Sequence, residues 1–106
     1  MSNTISPFAN IDATQIYWRK HALQRMLERS LTRSNVKEAI VKGIVIEEYR
    51  DDASFPSYLI AYITPHQPLH VVVSFDKEAN ALYVITAYVP DTLHFEEDLI
   101  TRRNHG

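Results

Sequence analysis

Three residues near the N-terminus have types and spacing that suit phosphate chemistry. His21, Arg25 and Arg29 follow one another at intervals of four residues, and in a helix this spacing aligns their side chains along one ridge. An imidazole transfers protons near neutral pH, and guanidinium groups donate paired hydrogen bonds to phosphate oxygens. The ridge is therefore a candidate phosphodiester site in which His21 is catalytic and Arg25 and Arg29 bind the phosphate. The same pattern also fits an ordinary solvated helix face.

Two further candidate catalytic groups lie in predicted strands. His70 interrupts the apolar segment PLHVVVSF, where a polar side chain needs either a hydrogen-bond partner or a role in a site. His70 is thus either a structural histidine or a catalytic one. In the next segment, ALYVITAYV, simple alternation predicts that Leu82, Val84, Thr86 and Tyr88 share one face. The Tyr88 phenol is a third candidate catalytic group, whereas Tyr49, Tyr58 and Tyr62 on earlier strands fit packing or stacking roles equally well.

The sequence predicts neither a metal site nor a cofactor. The chain contains no cysteine, which excludes thiolate ligands and a cysteine nucleophile. His66 and His70 are four residues apart, but Pro65 and Pro68 prevent the helix that would bring them to one metal ion. With two glycines in the chain, no glycine-rich phosphate loop is present.

Length and composition predict one domain over residues 1–106, with a core at about 16–101 and frayed ends at 1–12 and 102–106. The absence of cysteine suits a reducing compartment, and the first fifteen residues have neither a basic segment nor an apolar run. We therefore expect a cytoplasmic protein with no membrane association. The net charge of −2 conceals an asymmetry: residues 1–43 carry seven basic and three acidic side chains, and residues 44–106 carry four and ten.

Periodicity predicts an α+β fold in which two N-terminal helices precede a four-stranded antiparallel curved sheet. The first helix extends from about Tyr17 to Ser30, and the second follows the capping cluster at 32–35 and ends before Gly43. The strands are IVIEEY, SYLIAYIT, PLHVVVSF and ALYVITAYV. A short acidic C-terminal helix is predicted over LHFEEDLI.

Five short motifs resemble, in order, a bacterial domain-of-unknown-function family that is described as RelE/ParE-like. They are the pattern HxxxRMxER at 21–29, the pair Val36 and Ile40, and the segments 46–49, 69–72 and 85–88. The likeness covers about residues 16–103. It implies the RelE-like fold of toxins of the MqsR/BrnT type. It also implies no cofactor and an antitoxin partner, such as a zinc-finger or helix-turn-helix protein of the MqsA type.

Together these features favour the toxin component of a type II toxin–antitoxin module, a metal-independent endoribonuclease that cleaves messenger RNA. One of His21 and His70 would remove the proton of the ribose 2′-hydroxyl, and the other, or Tyr88, would protonate the leaving 5′-oxygen. RNA or the ribosome would be the target. The alternative is a non-catalytic protein-interaction module of the same fold, which the acidic pI of about 6.2 favours.

Overall fold

Two helices lie between the strands of one mixed sheet. The computed structural model describes residues 4–50 and 55–103. Their elements are β1 Thr4–Ile5, β2 Ile16–Trp18, α1 Lys20–Glu28, α2 Arg33–Lys42, β3 Ile44–Tyr49, β4 Ser57–Tyr62, β5 Leu69–Asp76 and β6 Ala81–Tyr88. A 3₁₀ turn at Ala13–Gln15 leads directly into β2.

Each helix buries one apolar stripe against the sheet. In α1 the buried residues are Ala22 and Met26, four positions apart. Thr32 caps α2, because its side chain accepts the Asn35 N–H while the Asn35 side chain accepts the Thr32 N–H. In the part of the chain that the structure describes, no helix is both long and apolar enough to cross a membrane.

The strand order is β1-β3-β4-β5-β6-β2. Strands β3 to β6 form an antiparallel meander, and β1 is antiparallel to β3. In contrast, β2 runs parallel to β6, with Tyr17 opposite Tyr83. A parallel neighbour requires a crossover connection, and here the crossover contains both helices and strands β3 to β5.

The prediction of two N-terminal helices followed by a four-stranded antiparallel sheet is therefore wrong. Strands β1 and β2 precede the helices, and β2 makes the sheet mixed. Three residues are too few to display the alternation that marks a strand. The segment Tyr17–Trp18 also adjoins a strong helical stripe, so the sequence pattern assigns it to the helix.

The predicted C-terminal helix is also absent: residues 91–103, here named the C-terminal segment, form turns closed by a bridge between Phe95 and Arg102. The carboxylate of Asp98 accepts the N–H groups of Ile100 and Thr101. Such side-chain bonds compete with a helical backbone. Near the other terminus, predicted to fray, Phe8 is 4% exposed and contacts the rings of Tyr58 and Phe75.

Two β-bulges reset the alternation of side chains. On β6, Val72 of β5 pairs with Thr86 and Val73 pairs with Val84, so Ile85 is an extra residue. The predicted shared face of Leu82, Val84, Thr86 and Tyr88 is consequently wrong: Tyr88 lies opposite His70. On β3, Ile46 is extra in the same way, because Val45 pairs with Ile60 and Glu47 pairs with Leu59.

The sheet is covered on both faces. The face that carries Val71, Val73 and Val84 packs against α1 and α2 and forms the main core. The opposite face, here named the outer face, carries His70 and Tyr88 and is covered in part by the C-terminal segment, where the Phe95 ring lies edge-on to His70 with centroids 4.6 Å apart. The cross-strand partners on this face come from non-adjacent parts of the sequence.

Replacing Gly43 with alanine is expected to destabilise the protein. A Cβ atom there would lie 2.5 Å from the Ala39 carbonyl oxygen and 2.8 Å from the Ala61 carbonyl oxygen. Both are backbone atoms, so α2 would have to move away from β4, which costs about 1–3 kcal/mol. Urea unfolding measures the loss. The neighbouring substitution Lys42→Ala removes an exposed ion pair to Glu38 and is the control; it should cost about 0–1 kcal/mol. If Gly43→Ala were as stable as wild type, the proposed close packing of α2 on β4 would be wrong.

Candidate active site

A cleft of about 410 Å³ opens at the end of β6, between the C-terminal end of α1 and the C-terminal segment. Its lining combines basic, phenolic and imidazole side chains: Arg29, Tyr88, Val89, Pro90, Asp91, His94, Phe95 and Arg102. A larger depression of about 830 Å³ lies at the opposite end of the sheet, but its described lining contains no histidine. The smaller cleft is therefore the better candidate for proton-transfer chemistry.

Arg29 is held at the cleft by the exposed edge of β6. Strand β2 pairs with β6 only as far as Val84, so the Ala87 carbonyl lies beyond the end of its neighbour. Arg29 immediately follows α1, and its Nη1 donates a hydrogen bond to that carbonyl at 2.8 Å. A guanidinium has five N–H donors, and those not used on Ala87 can bind an anion in the cleft.

Behind the cleft, Tyr88 is hydrogen-bonded to the buried side chain of His70. His70 is 0% exposed, and its Nε2 lies 2.7 Å from the Leu99 carbonyl oxygen. Because a carbonyl only accepts, Nε2 carries the proton, and the unprotonated Nδ1 accepts the Tyr88 hydroxyl at 3.2 Å. Leu99 has a φ of 61°, a left-handed conformation that is uncommon for leucine. The imidazole thus joins the C-terminal segment to the cleft.

Burial keeps both members of this pair neutral near pH 7. Desolvation lowers the pKa of His70, opposed by its hydrogen bond to Leu99 and the charge of Glu47. Desolvation raises the pKa of Tyr88, opposed mainly by the positive charge of Arg102. The neutral His70 accepts a hydrogen bond from the Tyr88 hydroxyl. The phenol therefore keeps its proton and can donate it, and the nearby Arg102 cation would stabilise the resulting anion.

His94 contributes an imidazole that is held by a carboxylate. Its Nδ1 lies 2.9 Å from Asp91 Oδ1, the atom that also accepts the backbone N–H groups of Leu93 and His94. The hydrogen bond from the His94 side chain is the main cause that lowers the pKa of Asp91. This pairing assigns the proton to Nδ1 and leaves Nε2 for proton transfer.

Arg102 adds a second guanidinium, which is fixed by a two-point ion pair. Its Nε and Nη2 donate to the two carboxylate oxygens of Glu47 at 2.9 and 3.0 Å, and its guanidinium carbon lies 4.9 Å from the Phe95 ring centroid. Glu47 also accepts the Tyr49 hydroxyl. The β3 bulge turns Glu47 toward the outer face, so this ion pair depends on the bulged conformation.

Of the five residues predicted from the sequence, Arg29 and Tyr88 line the cleft and His70 lies directly behind Tyr88. His21 and Arg25 lie on the exposed face of α1, outside the cleft lining, and Arg25 is paired with Glu28 at 3.1 Å. Sequence reasoning missed Asp91, His94 and Arg102. The spacing Asp-x-x-His directly after Pro90 was a usable signal, because an aspartate after a proline favours a turn that its own carboxylate closes.

Among the described residues, no group of three or more His, Cys, Asp or Glu side chains converges as a metal site would require. The groups that do converge in the cleft are proton-transfer and anion-binding groups. The arrangement can therefore bind a phosphate with Arg29 and Arg102 while His94 and Tyr88 transfer protons.

Stability should fall as the pH is lowered from about 7.5 to 5.5, because of His70. Its folded-state pKa is lowered by burial, so the unfolded chain binds the proton more readily. This contribution is fully present above the unfolded pKa of about 6.5 and is lost as the pH falls toward the folded pKa. Urea unfolding at several pH values measures it. The variant His70→Gln should reduce this pH dependence, whereas His66→Gln, at an exposed position, should not. If the free energy of unfolding changed with pH in the same way in all three proteins, His70 would not be its cause.

Comparison with protein families gives one match: the model of a domain of unknown function, DUF4258, matches residues 18–89. The matched range extends from the end of β2 to just beyond β6 and includes His21, Arg29, His70 and Tyr88, but not the C-terminal segment. No curated protein and no solved structure matches. Because the matched range covers about two thirds of the sequence, the chain belongs to the DUF4258 family.

Proposed function

We propose that this protein is a metal-independent endoribonuclease of the RelE/ParE-like toxin type, with its active site in the cleft at the end of β6. One observation carries the proposal: the His94–Asp91 pair, the Tyr88 phenol and two guanidiniums line the same cleft. This combination supplies two proton-transfer groups and positive charge for one phosphate. RNA is the substrate class, because the ribose 2′-hydroxyl is the internal nucleophile that such a site activates.

In the proposed reaction His94 Nε2 accepts the proton of the 2′-hydroxyl as the 2′-oxygen attacks phosphorus. The bond from phosphorus to the 5′-oxygen breaks, and the Tyr88 hydroxyl gives its proton to that oxygen. The products are a 2′,3′-cyclic phosphate and a 5′-hydroxyl. Arg29 and the Nη1 group of Arg102 donate to the phosphate oxygens, where negative charge increases in the transition state.

His70 has a positioning role in this mechanism. Its Nδ1 accepts the Tyr88 hydroxyl in the resting state and so fixes the phenol, while Nε2 is occupied by Leu99. A fully buried imidazole with both nitrogens bonded does not touch substrate. The proposed general base is therefore His94, and the pairing of His21 with His70 that the sequence suggested is replaced by His94 with Tyr88.

As a toxin, the protein would be held inactive by an antitoxin that covers the cleft. A zinc-finger or helix-turn-helix protein of the MqsA type is the expected partner, on the strength of the motif resemblance alone. An acidic partner segment would complement Arg29 and Arg102, which lie on opposite sides of the cleft.

A non-catalytic interaction module remains the second candidate. Its specific support is that His70 is buried with both nitrogens bonded and that Arg25 is already paired with Glu28. In addition, Leu27 on α1 is 81% exposed, which suits contact with another protein. In that case Arg29 and Arg102 would bind acidic side chains of the partner.

Single substitutions in the cleft should strongly reduce the rate of RNA cleavage without unfolding the protein. Tyr88→Phe removes only the hydroxyl, His94→Ala removes the base and Arg29→Ala removes a phosphate donor; each should lower the cleavage rate by about 100-fold or more. The measurement is cleavage of a labelled RNA, with chemical identification of a 2′,3′-cyclic phosphate at the new end. Circular dichroism of each variant verifies the fold.

Two matched controls distinguish phosphate binding in the cleft from phosphate binding along the ridge of α1. His66→Ala removes an exposed histidine outside the cleft, and Arg25→Ala removes an arginine from the same helix as Arg29; both should retain most activity. If Arg25→Ala is as damaging as Arg29→Ala, the phosphate binds along the ridge that the sequence suggested. RNA that stays intact with wild-type protein, both with and without ribosomes, would refute the nuclease.

Induced expression in bacteria distinguishes the two candidate functions. A nuclease should arrest growth, and His94→Ala or Tyr88→Phe expressed to the same level should not, because either change removes a proton-transfer group. A binding module should be harmless as wild type, or equally toxic with and without these changes. Growth curves and RNA integrity after induction provide the measurement.

A further inference from the structure

A row of three aromatic rings crosses the outer face at the end of the sheet far from the cleft. The rings of Tyr17 and Tyr83 are stacked, with centroids 5.4 Å apart and planes inclined by 27°. On the other side of Tyr83, the Phe55 ring is parallel within 6° at 6.3 Å. The guanidinium carbon of Arg19 lies 5.4 Å from the centroid of the Tyr83 ring. These three rings are here named the aromatic row.

The aromatic row is a surface feature and not part of the core. Tyr17, Tyr83 and Phe55 are absent from the hydrophobic core cluster. Alternation along β2 turns Ile16 inward and Tyr17 outward, and Tyr17 is 51% exposed at the edge of the sheet. Tyr83 is flanked by Tyr17 and Phe55, so the exposed Tyr17 ring at the end of the row is the one that can stack on a base, with the Arg19 guanidinium beside the row.

The row and the cleft are connected by one strand and one helix. Tyr83 and Tyr88 both lie on the outer face of β6, five positions and on the order of 15 Å apart. Helix α1 lies beside this part of β6. The Arg19 N–H, just before the helix, donates to the Val84 carbonyl, and the Arg29 side chain, just after it, donates to the Ala87 carbonyl. Between these ends Lys20 is exposed, and Arg25 is exposed but paired with Glu28. Arg19, Lys20 and Arg29 therefore supply positive charge from the row to the cleft.

We propose that the aromatic row is a base-stacking platform for single-stranded RNA, which leads the strand along α1 into the cleft. The inference rests on the proposed function for the direction of the strand, but the platform is a binding site in its own right. A base stacks on the exposed ring of Tyr17 at the end of the row, and the phosphates follow Arg19 and the exposed side of α1. This arrangement gives Lys20, at the start of α1, a role in binding the backbone outside the cleft.

A single strand fits this surface better than a duplex. In a duplex the bases are stacked on one another and their faces are not available to protein rings, whereas unpaired bases stack on aromatic side chains without regard to sequence. The platform therefore selects unpaired RNA and confers little sequence preference. The charge along α1 makes binding sensitive to salt.

The test is the affinity for a labelled single-stranded oligonucleotide with 2′-O-methyl riboses, measured by fluorescence anisotropy. The methyl group blocks the nucleophile, so binding is measured in the absence of cleavage. Tyr17→Leu keeps an apolar side chain but removes the ring and should weaken binding by about tenfold. Tyr17→Phe keeps the ring and should bind like wild type.

Arg19→Ala tests the electrostatic part of the same surface. It should weaken binding and reduce the slope of log affinity against log salt concentration by about one, because one phosphate contact is lost. His66→Ala, in the loop between β4 and β5, is the control and should leave both affinity and slope unchanged. A duplex of the same sequence should bind more weakly than the single strand.

Three outcomes would overturn the platform: no binding of the single strand by wild type, equal affinity for Tyr17→Leu and Tyr17→Phe, or equal affinity for duplex and single strand. None of these binding results tests whether the protein cleaves RNA. Cleavage of a ribodinucleotide, which is too short to reach from the cleft to Tyr17, tests the cleft alone. Cleavage of the dinucleotide with no effect of Tyr17→Leu on longer RNA would refute the platform and retain the enzyme.

Discussion

The buried imidazole of His70 is the group on which the candidate site depends. An imidazole removed from water must have partners for both nitrogens, and one of them here is the carbonyl of Leu99, which lies 29 residues away along the chain. That bond requires the C-terminal segment to lie across the outer face. The same segment carries His94 and Arg102, so satisfying one buried histidine also brings a second histidine and a guanidinium to the end of β6.

Two bulges make this arrangement compatible with an apolar core. If the strand alternated regularly through Ile85, without a bulge, Tyr88 would face the helices, and regular alternation through Ile46 would turn Glu47 the same way. The bulges instead direct the phenol and the carboxylate to the outer face, where they meet His70 and Arg102. Bulges are frequent beside active sites because they redirect one side chain without disrupting the rest of the sheet.

The short strand β2 shapes the other side of the site. It pairs with β6 for three residues and then ends, which leaves the following edge of β6 to α1 and to the Arg29 side chain. The same three residues expose Tyr17 beside Tyr83. A longer β2 would cover the edge of β6 at which the cleft opens. The cleft can therefore lie at this edge only because β2 is short.

The sequence by itself determined the α+β class, the two amphipathic helices, the meander of β3 to β6, and Arg29 and Tyr88 as candidates. These features follow from local periodicity and side-chain chemistry, which a stretch of a few residues is enough to show. Only the tertiary structure decided the parallel pairing of β2, the two bulges, the burial of His70 and the contribution of His94 and Arg102. These depend on pairing between distant segments, and a register shift of one residue reverses a face without altering the local pattern.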